Sequence, residues 1–342
     1  MTSARLLAGM RRDGVSGAIG LALLLWTGIP QVALAQALPV GESEILVDFK
    51  DFEPPQAPES VAIDKVGNAF VSFFEGSTWK FTRDLEPVPV CDLTFGGGIA
   101  VDAPGNAYVI GVRFVPEFIV AVFRIPRRGG ACEVFADVTG AMARPNALAF
   151  DKIGNLYVTD SARGQIHRIT RGGAVEMWLD DVLLHPVPLD GAPDFIVGAN
   201  GIQYWQGSLI VANTTQQTLV RIPIRSNGSA GAAEVLYSVD VNRGGPVFFP
   251  DGLALDVHGN IYAADGLSSQ LVKVWADGTY AEIVAAAFAG DPLEGPTAVA
   301  FGSGMGDRKN MFVTNSGAID PMATGNSSLI RIGIGSPGNP LP

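Results

Sequence analysis

Pro145-Asn146-Ala147-Leu148-Ala149-Phe150-Asp151-Lys152-Ile153-Gly154-Asn155-Leu156-Tyr157-Val158-Thr159-Asp160 decides the fold. Apolar side chains alternate through Ala147–Phe150 and again through Leu156–Val158, the period of strands with one face buried. Between them stands Gly154-Asn155, and Gly and Asn supply the positive φ that a tight reversal needs. The stretch therefore reads as a β-hairpin opened by Pro-Asn and closed by Asp160.

The same sentence is written six times. Its other copies start at Pro58, Gly97, Ala199, Pro250 and Pro296, and Gly-Asn recurs at Gly67-Asn68, Gly105-Asn106 and Gly259-Asn260. Further strand-like runs follow most hairpins, among them Gln165–Ile169, Thr218–Ile222 and Leu271–Trp275. A period of roughly 40–55 residues is that of a four-stranded propeller blade. Six such units predict an all-β, six-bladed β-propeller over 36–342. Glu44–Phe49 and Leu329–Ile334 are expected to meet in the last blade and lock the ring, which hides the sheet edges. The 42 Gly and 23 Pro among 342 residues suit many short strands joined by turns.

Residues 1–35 are set apart. Arg5, Arg11 and Arg12 precede an apolar centre at Ala18–Ile29, and Ala33-Leu34-Ala35 is a small-x-small cleavage pattern. This predicts a secretory signal peptide and a mature protein exported to the periplasm or secreted. The apolar centre falls short of the roughly 20 residues of a membrane span. The formal net charge of −11, more negative still without the leader, argues against nucleic acid and anionic membrane surfaces as partners. In an oxidising compartment Cys91 and Cys132 are expected to pair, two buried thiols being the alternative.

The position after each opening residue carries chemistry. It holds Glu59, Asn146, Asn200 and Asp251 in units one, three, four and five, with Gly and Thr297 in the other two. In a propeller these residues converge on the central channel. Pro-Asn and Pro-Asp are also ordinary turn dipeptides, but a Glu at the same register has no such explanation. Two carboxylates and two amide oxygens match a divalent cation, Ca²⁺ above all, with positions left for water and a substrate oxygen.

With Pro145–Phe150, Asn200-Gly201-Ile202 and Pro250-Asp251-Gly252-Leu253-Ala254 on the page, the chain resembles the senescence-marker-protein/gluconolactonase/luciferin-regenerating-enzyme superfamily. Its fold is similar to that of diisopropyl fluorophosphatase and the paraoxonases. The resemblance implies a metal held by Glu59, Asn146, Asn200 and Asp251, and hydrolysis of a lactone or related ester with Asp251 and Glu59 as catalytic groups. The departures are Ala147 where Gly is usual, Pro58-Glu59-Ser60-Val61 in place of Glu-Gly-Pro, and no counterpart of the Arg that some members use to hold a sugar acid.

His185, in the long connection Asp180–Val197, is a candidate substrate-binding residue, with Asn213 and Phe249 beside it. Asn213, like Asp160, Asp265 and Asn315, also fits a turn-stabilising role, and Phe248, Phe249 and Phe195 fit either an apolar rim or packing between blades. His167 and His258 read as structural. Serine-hydrolase, His-Glu-x-x-His and phosphate-loop motifs are absent. The expected protein is a monomer acting on a small molecule. The competing readings are a non-catalytic NHL-type propeller that binds a ligand or protein in the cell envelope, and a strictosidine-synthase-like condensation with a channel Glu as base.

Overall fold

The computed structural model describes residues 37–114, 117–189, 191–239, 246–304, 306–317 and 325–341. The leader lies outside them. Six antiparallel sheets of four strands follow one another. The chain enters through β1 (Ser43–Asp48). The first blade is β2 (Pro58–Ile63), β3 (Ala69–Phe73), β4 (Ser77–Phe81) and β5 (Pro87–Asp92). The next is β6 (Phe95–Val101), β7 (Ala107–Arg113), β8 (Ile119–Ile125) and β9 (Glu133–Asp137). The third is β10 (Pro145–Phe150), β11 (Leu156–Asp160), β12 (Gln165–Ile169) and β13 (Val175–Asp180), and the fourth β14 (Ala199–Trp205), β15 (Ser208–Asn213), β16 (Thr218–Pro223) and β17 (Glu234–Ser238). The fifth is β18 (Leu253–Leu255), β19 (Ile261–Asp265), β20 (Gln270–Val274) and β21 (Ala281–Ala286). The sixth consists of β22 (Pro296–Phe301), β23 (Asn310–Asn315) and β24 (Ser328–Gly333), completed by β1.

The opening strands β2, β6, β10, β14, β18 and β22 touch in a closed ring, so each is the innermost of its blade. This is the six-bladed propeller that the repeats predict. Closure follows the expected route: Ser43 pairs with Ile332 and Asp48 with Ser328. The seam is reinforced by charge. Arg331, 2% exposed, lies between Glu44 of β1 and Asp307, with its Nη1 3.2 Å from the Asp307 carboxylate.

Each pair of neighbouring blades buries one apolar cluster, giving six interfaces. Cys91 and Cys132 form a disulfide within the cluster between the first two blades. Near the axis space is short. One position of the innermost strand is alanine in five blades, Ala62, Ala100, Ala149, Ala254 and Ala300; the fourth blade has Gln203, whose Nε2 donates to the Leu253 carbonyl of the next blade at 2.8 Å.

The Gly-Asn turns hold a refinement. Only the glycine is left-handed, as at Gly154 with φ +87°. The asparagine acts through its side chain: Asn155 Nδ2 donates to Asp151 at 2.9 Å, and the same Asp-to-Asn bond closes the turns at Asp64, Asp102 and Asp256. The motif is therefore Asp-x-x-Gly-Asn, a side-chain clamp on a tight turn.

Breaking a buried ion pair by removing one partner typically costs about 3–5 kcal/mol. Arg331→Ala is expected to lower unfolding stability by that order, read from urea denaturation. Arg331→Met combined with Asp307→Asn, which removes the stranded charge, should recover most of the loss.

Candidate active site in the central channel

The innermost strands are not regular where they carry the candidate ligands. Pairing of β2 with β3 shifts between Pro58 and Ser60, around Glu59. The same irregularity spans Pro145 to Leu148 around Asn146, Ala199 to Ile202 around Asn200, and Pro296 to Ala298 around Thr297. A β-bulge re-aims a side chain that a regular strand would point into the blade. Asp251 lies just ahead of β18, its N–H donating to the Ala264 carbonyl at 2.9 Å.

Neighbouring bulges are fastened to one another. Thr159 Oγ1 accepts from the Ala147 N–H at 3.0 Å and donates to the Asn200 carbonyl at 2.8 Å. Thr214 Oγ1 accepts from Asn200 Nδ2 at 2.9 Å and donates to the Pro250 carbonyl at 2.7 Å. Ser72 donates to the Gly97 carbonyl, and Thr297 to that of Pro58. These hydroxyls, of Ser72, Thr159 and Thr214 on or beside second strands and of Thr297 on innermost β22, fix the register of one blade against the next. Two glycines let the backbones close up: a Cβ on Gly98 would lie 2.3 Å from the Asn146 carbonyl oxygen, and one on Gly201 2.1 Å from that of Asp251.

Electrostatics shows which candidates meet. Burial, and then the negative charge of Asp251, hold the Glu59 carboxyl well above the usual carboxylate range. Burial pushes Asp251 up to about 7, against the pull of a hydrogen bond from the Asn200 side chain and with a further push from Asp265. The first, fourth and fifth blades thus bring Glu59, Asn200 and Asp251 into one electrostatic unit. Asn146 stands at the same bulge register of the third blade, and the N–H of its neighbour Ala147 is tied to the Asn200 carbonyl through Thr159.

Two acceptors in this unit lack partners. Glu59 Oε2 and Asn200 Oδ1 are buried and accept no hydrogen bond. Orphaned buried acceptors are rare because each costs desolvation energy. One belongs to the Glu59 carboxyl and the other to the Asn200 amide, and oxygen-only donors are the kind a hard cation prefers. Among the described residues no three His, Cys, Asp or Glu side chains gather for a metal, so a cation here relies on the amides.

The other candidates are placed differently. Asn213 is fully buried; its Nδ2 donates to the carbonyls of Leu183 and His185 and its Oδ1 accepts from Gln216 N–H, so its side chain anchors the connection to the fourth blade. His185 turns its Nε2 to Asp180, 2.7 Å away at the end of outermost strand β13, rather than over the channel. Phe248 is core, packed on Tyr237. Phe249 is half-buried, and its backbone holds the Asp265 carboxylate. Asp160 and Asp265 both close turns, as expected, and Asn315 Nδ2 fastens the Pro292 carbonyl. One rim cation had no signal in the repeats. Arg144, two residues before Asn146, reaches from the third blade to the Ile196 carbonyl ahead of the fourth. Burial lowers its pKa while the charge of Asp160 raises it.

The comparisons agree with this architecture. Residues 97–317 match the SMP-30/Gluconolactonase/LRE-like region. The chain belongs to that family. Among solved structures it is similar to a gluconolactonase from Xanthomonas campestris (18% identity, 91% of this chain and 94% of that one covered, TM-score 0.61). It is also similar to a luciferin-regenerating enzyme (16%, 87% and 97%, TM-score 0.66) and to the calcium-binding protein regucalcin from Agrobacterium tumefaciens (16%, 87% and 97%, TM-score 0.65). At these identities the likeness is one of fold. No curated protein matches the chain.

A carboxyl whose pKa is raised on folding stabilises fully below its unfolded pKa, and that contribution is lost as pH rises through the folded value. For Asp251 the window runs from 3.8 to about 7. In chelator-treated protein, urea midpoints should therefore fall across this window. Asp251→Asn should flatten the slope by an amount on the order of 2–4 kcal/mol; equal slopes would contradict the burial of this charge.

Proposed function

We propose that the protein is an exported, cation-dependent hydrolase of the gluconolactonase type, opening a lactone or related ester at the channel mouth lined by Glu59, Asn146, Asn200 and Asp251. The observation that carries the reading is the pair of orphaned acceptors, Glu59 Oε2 and Asn200 Oδ1, with the Asp251 carboxyl beside them and both carboxyls pushed above the usual carboxylate range by burial. Family membership supports lactonase-type hydrolysis in general. Export is supported by the leader pattern and by the Cys91–Cys132 disulfide, a bond at home in oxidising compartments. Among the described residues no helix is long and apolar enough to cross a membrane.

Glu59, Asn146, Asn200 and Asp251 would hold the cation, with Ca²⁺ the best fit to oxygen donors. When bound, it polarises the substrate carbonyl and offsets the charge that develops on its oxygen. The chain does the rest. The bulges and their hydroxyl ties keep the four donors in place before substrate arrives, so little reorganisation remains to be done. Burial holds the Glu59 carboxyl well above the usual carboxylate range, and a cation would favour its ionised form, which would couple affinity to pH. Asn200 donates to Asp251 and orients its carboxylate, leaving that group to take the proton of the water that adds to the carbonyl. Asp251 is the candidate base and Glu59 the principal anionic ligand.

The test uses mature protein and a panel of lactones and aryl esters. Chelator should abolish turnover and added Ca²⁺ restore it. Glu59→Gln and Asp251→Asn should fold, bind Ca²⁺ at least ten-fold more weakly by calorimetry and lose at least 100-fold in kcat/KM. Variants that hydrolyse the panel as fast as wild type would overturn the catalytic assignment. Tight Ca²⁺ binding with no turnover of any substrate would favour the ligand-binding propeller instead.

A further inference from the structure

At the ring of alanines the channel holds a cavity of about 120 Å³ lined by innermost strands of all six blades. Its lining residues fall one to four positions after the ligand register, from Val61 in the first blade to Val299 in the sixth. At 3.3 Å per residue this places the cavity deeper in the channel, away from the mouth that holds Glu59 and Asp251. Three lining residues belong to no blade: Asn339, Pro340 and Leu341.

Leaving β24, the chain does not run out into solvent. Ile334 N–H donates to the Lys309 carbonyl, and the segment then turns beneath the fifth blade. The Pro337 carbonyl accepts from Val257 N–H at 3.0 Å, Gly338 N–H donates to the Arg308 carbonyl at 2.9 Å, and Asn339 N–H donates to the Leu255 carbonyl at 2.8 Å. Gly338 also bridges to Asp256, and a Cβ there would lie 2.1 Å from the Phe301 side chain. The crossing ends with Leu341 packed on the apolar cluster between the first and second blades. Seven residues thus run from the sixth blade, under the fifth, to the opposite side of the ring.

We propose that Gly335–Leu341 is a stopper that seals the far end of the channel, so that ligands enter and leave only through the mouth carrying the four oxygen donors. Four backbone hydrogen bonds, at Gly335, Pro337, Gly338 and Asn339, position the strap, and Leu341 seats it. The ring of six strands alone leaves both ends of the axis open; the strap makes the channel blind. It does so whatever binds at Glu59 and Asp251, because every contact lies below that register.

The test places a thiol in the channel. Both native cysteines are in a disulfide, so Ala100→Cys, at a half-buried channel position, carries the only free thiol of the described residues. Its alkylation by iodoacetamide is timed by mass spectrometry in three chains: full length, full length with Leu341→Asp, and a chain ending at Gly335. The stopper requires slow labelling in the first and at least ten-fold faster labelling in the other two, with far-UV circular dichroism unchanged. Rates within two-fold of one another overturn it. Should the shortened chain not fold, the Leu341→Asp rate decides by the same criterion.

Discussion

Six sheets share one axis because β1 and β24 form a single antiparallel ladder, running from Ser43 opposite Ile332 to Asp48 opposite Ser328. Other contacts between blades join sequence neighbours, except along the same seam, where β2 meets β22 and β23; the β1–β24 ladder joins the two ends of the fold within the sixth blade. Without it, the first and sixth blades would meet only through side chains, and β2 and β22 would lose the constraint that keeps Pro58 beside Thr297. The buried Arg331, bound to Glu44 on one side and Asp307 on the other, ties the closing strand to the blade it completes. Closure is thus the condition under which Glu59 of the first blade can feel the charge of Asp251 in the fifth.

The same closure creates an electrostatic problem. Two carboxylates brought together out of water repel and lose hydration, and each responds by holding its proton more tightly. The packing relieves them only in part: the Asn200 side chain offers Asp251 a hydrogen bond, and Glu59 Oε2 accepts none. Bulges, hydroxyl ties and two glycines with no room for a side chain maintain this arrangement despite its cost, a local conflict of the kind expected at functional or strained sites. In the proposed reading, a bound cation would offset the repulsion and satisfy the orphaned oxygens together.

Much of this was legible in the chain. Period-two alternation and the recurring Gly-Asn turn specified the blades, because each hairpin is a local structure whose side chains must face alternate sides. The closing strand was legible too, since an apolar run at each end has no other partner. The register of Glu59, Asn200 and Asp251 could be read from the repeat, because convergence follows from symmetry. The surroundings could not. Asn213 looks like a channel residue in sequence, yet a tertiary contact with the connection at Leu183 and His185 occupies it. His185 is drawn to Asp180 by a hydrogen bond that no spacing announces. Arg144 stands two residues before a ligand, but only the approach of the Ile196 backbone shows where its guanidinium goes. The strap beyond Ile334 has no periodicity, and only its contacts reveal that it crosses the axis.

The most direct measurement is a crystal structure of the mature protein grown with Ca²⁺. The account predicts one ion on the axis, with oxygens of Glu59, Asn146, Asn200 and Asp251 within about 2.3–2.6 Å of it. An axis without bound cation, or an ion that leaves Glu59 and Asp251 outside its coordination sphere, would contradict it.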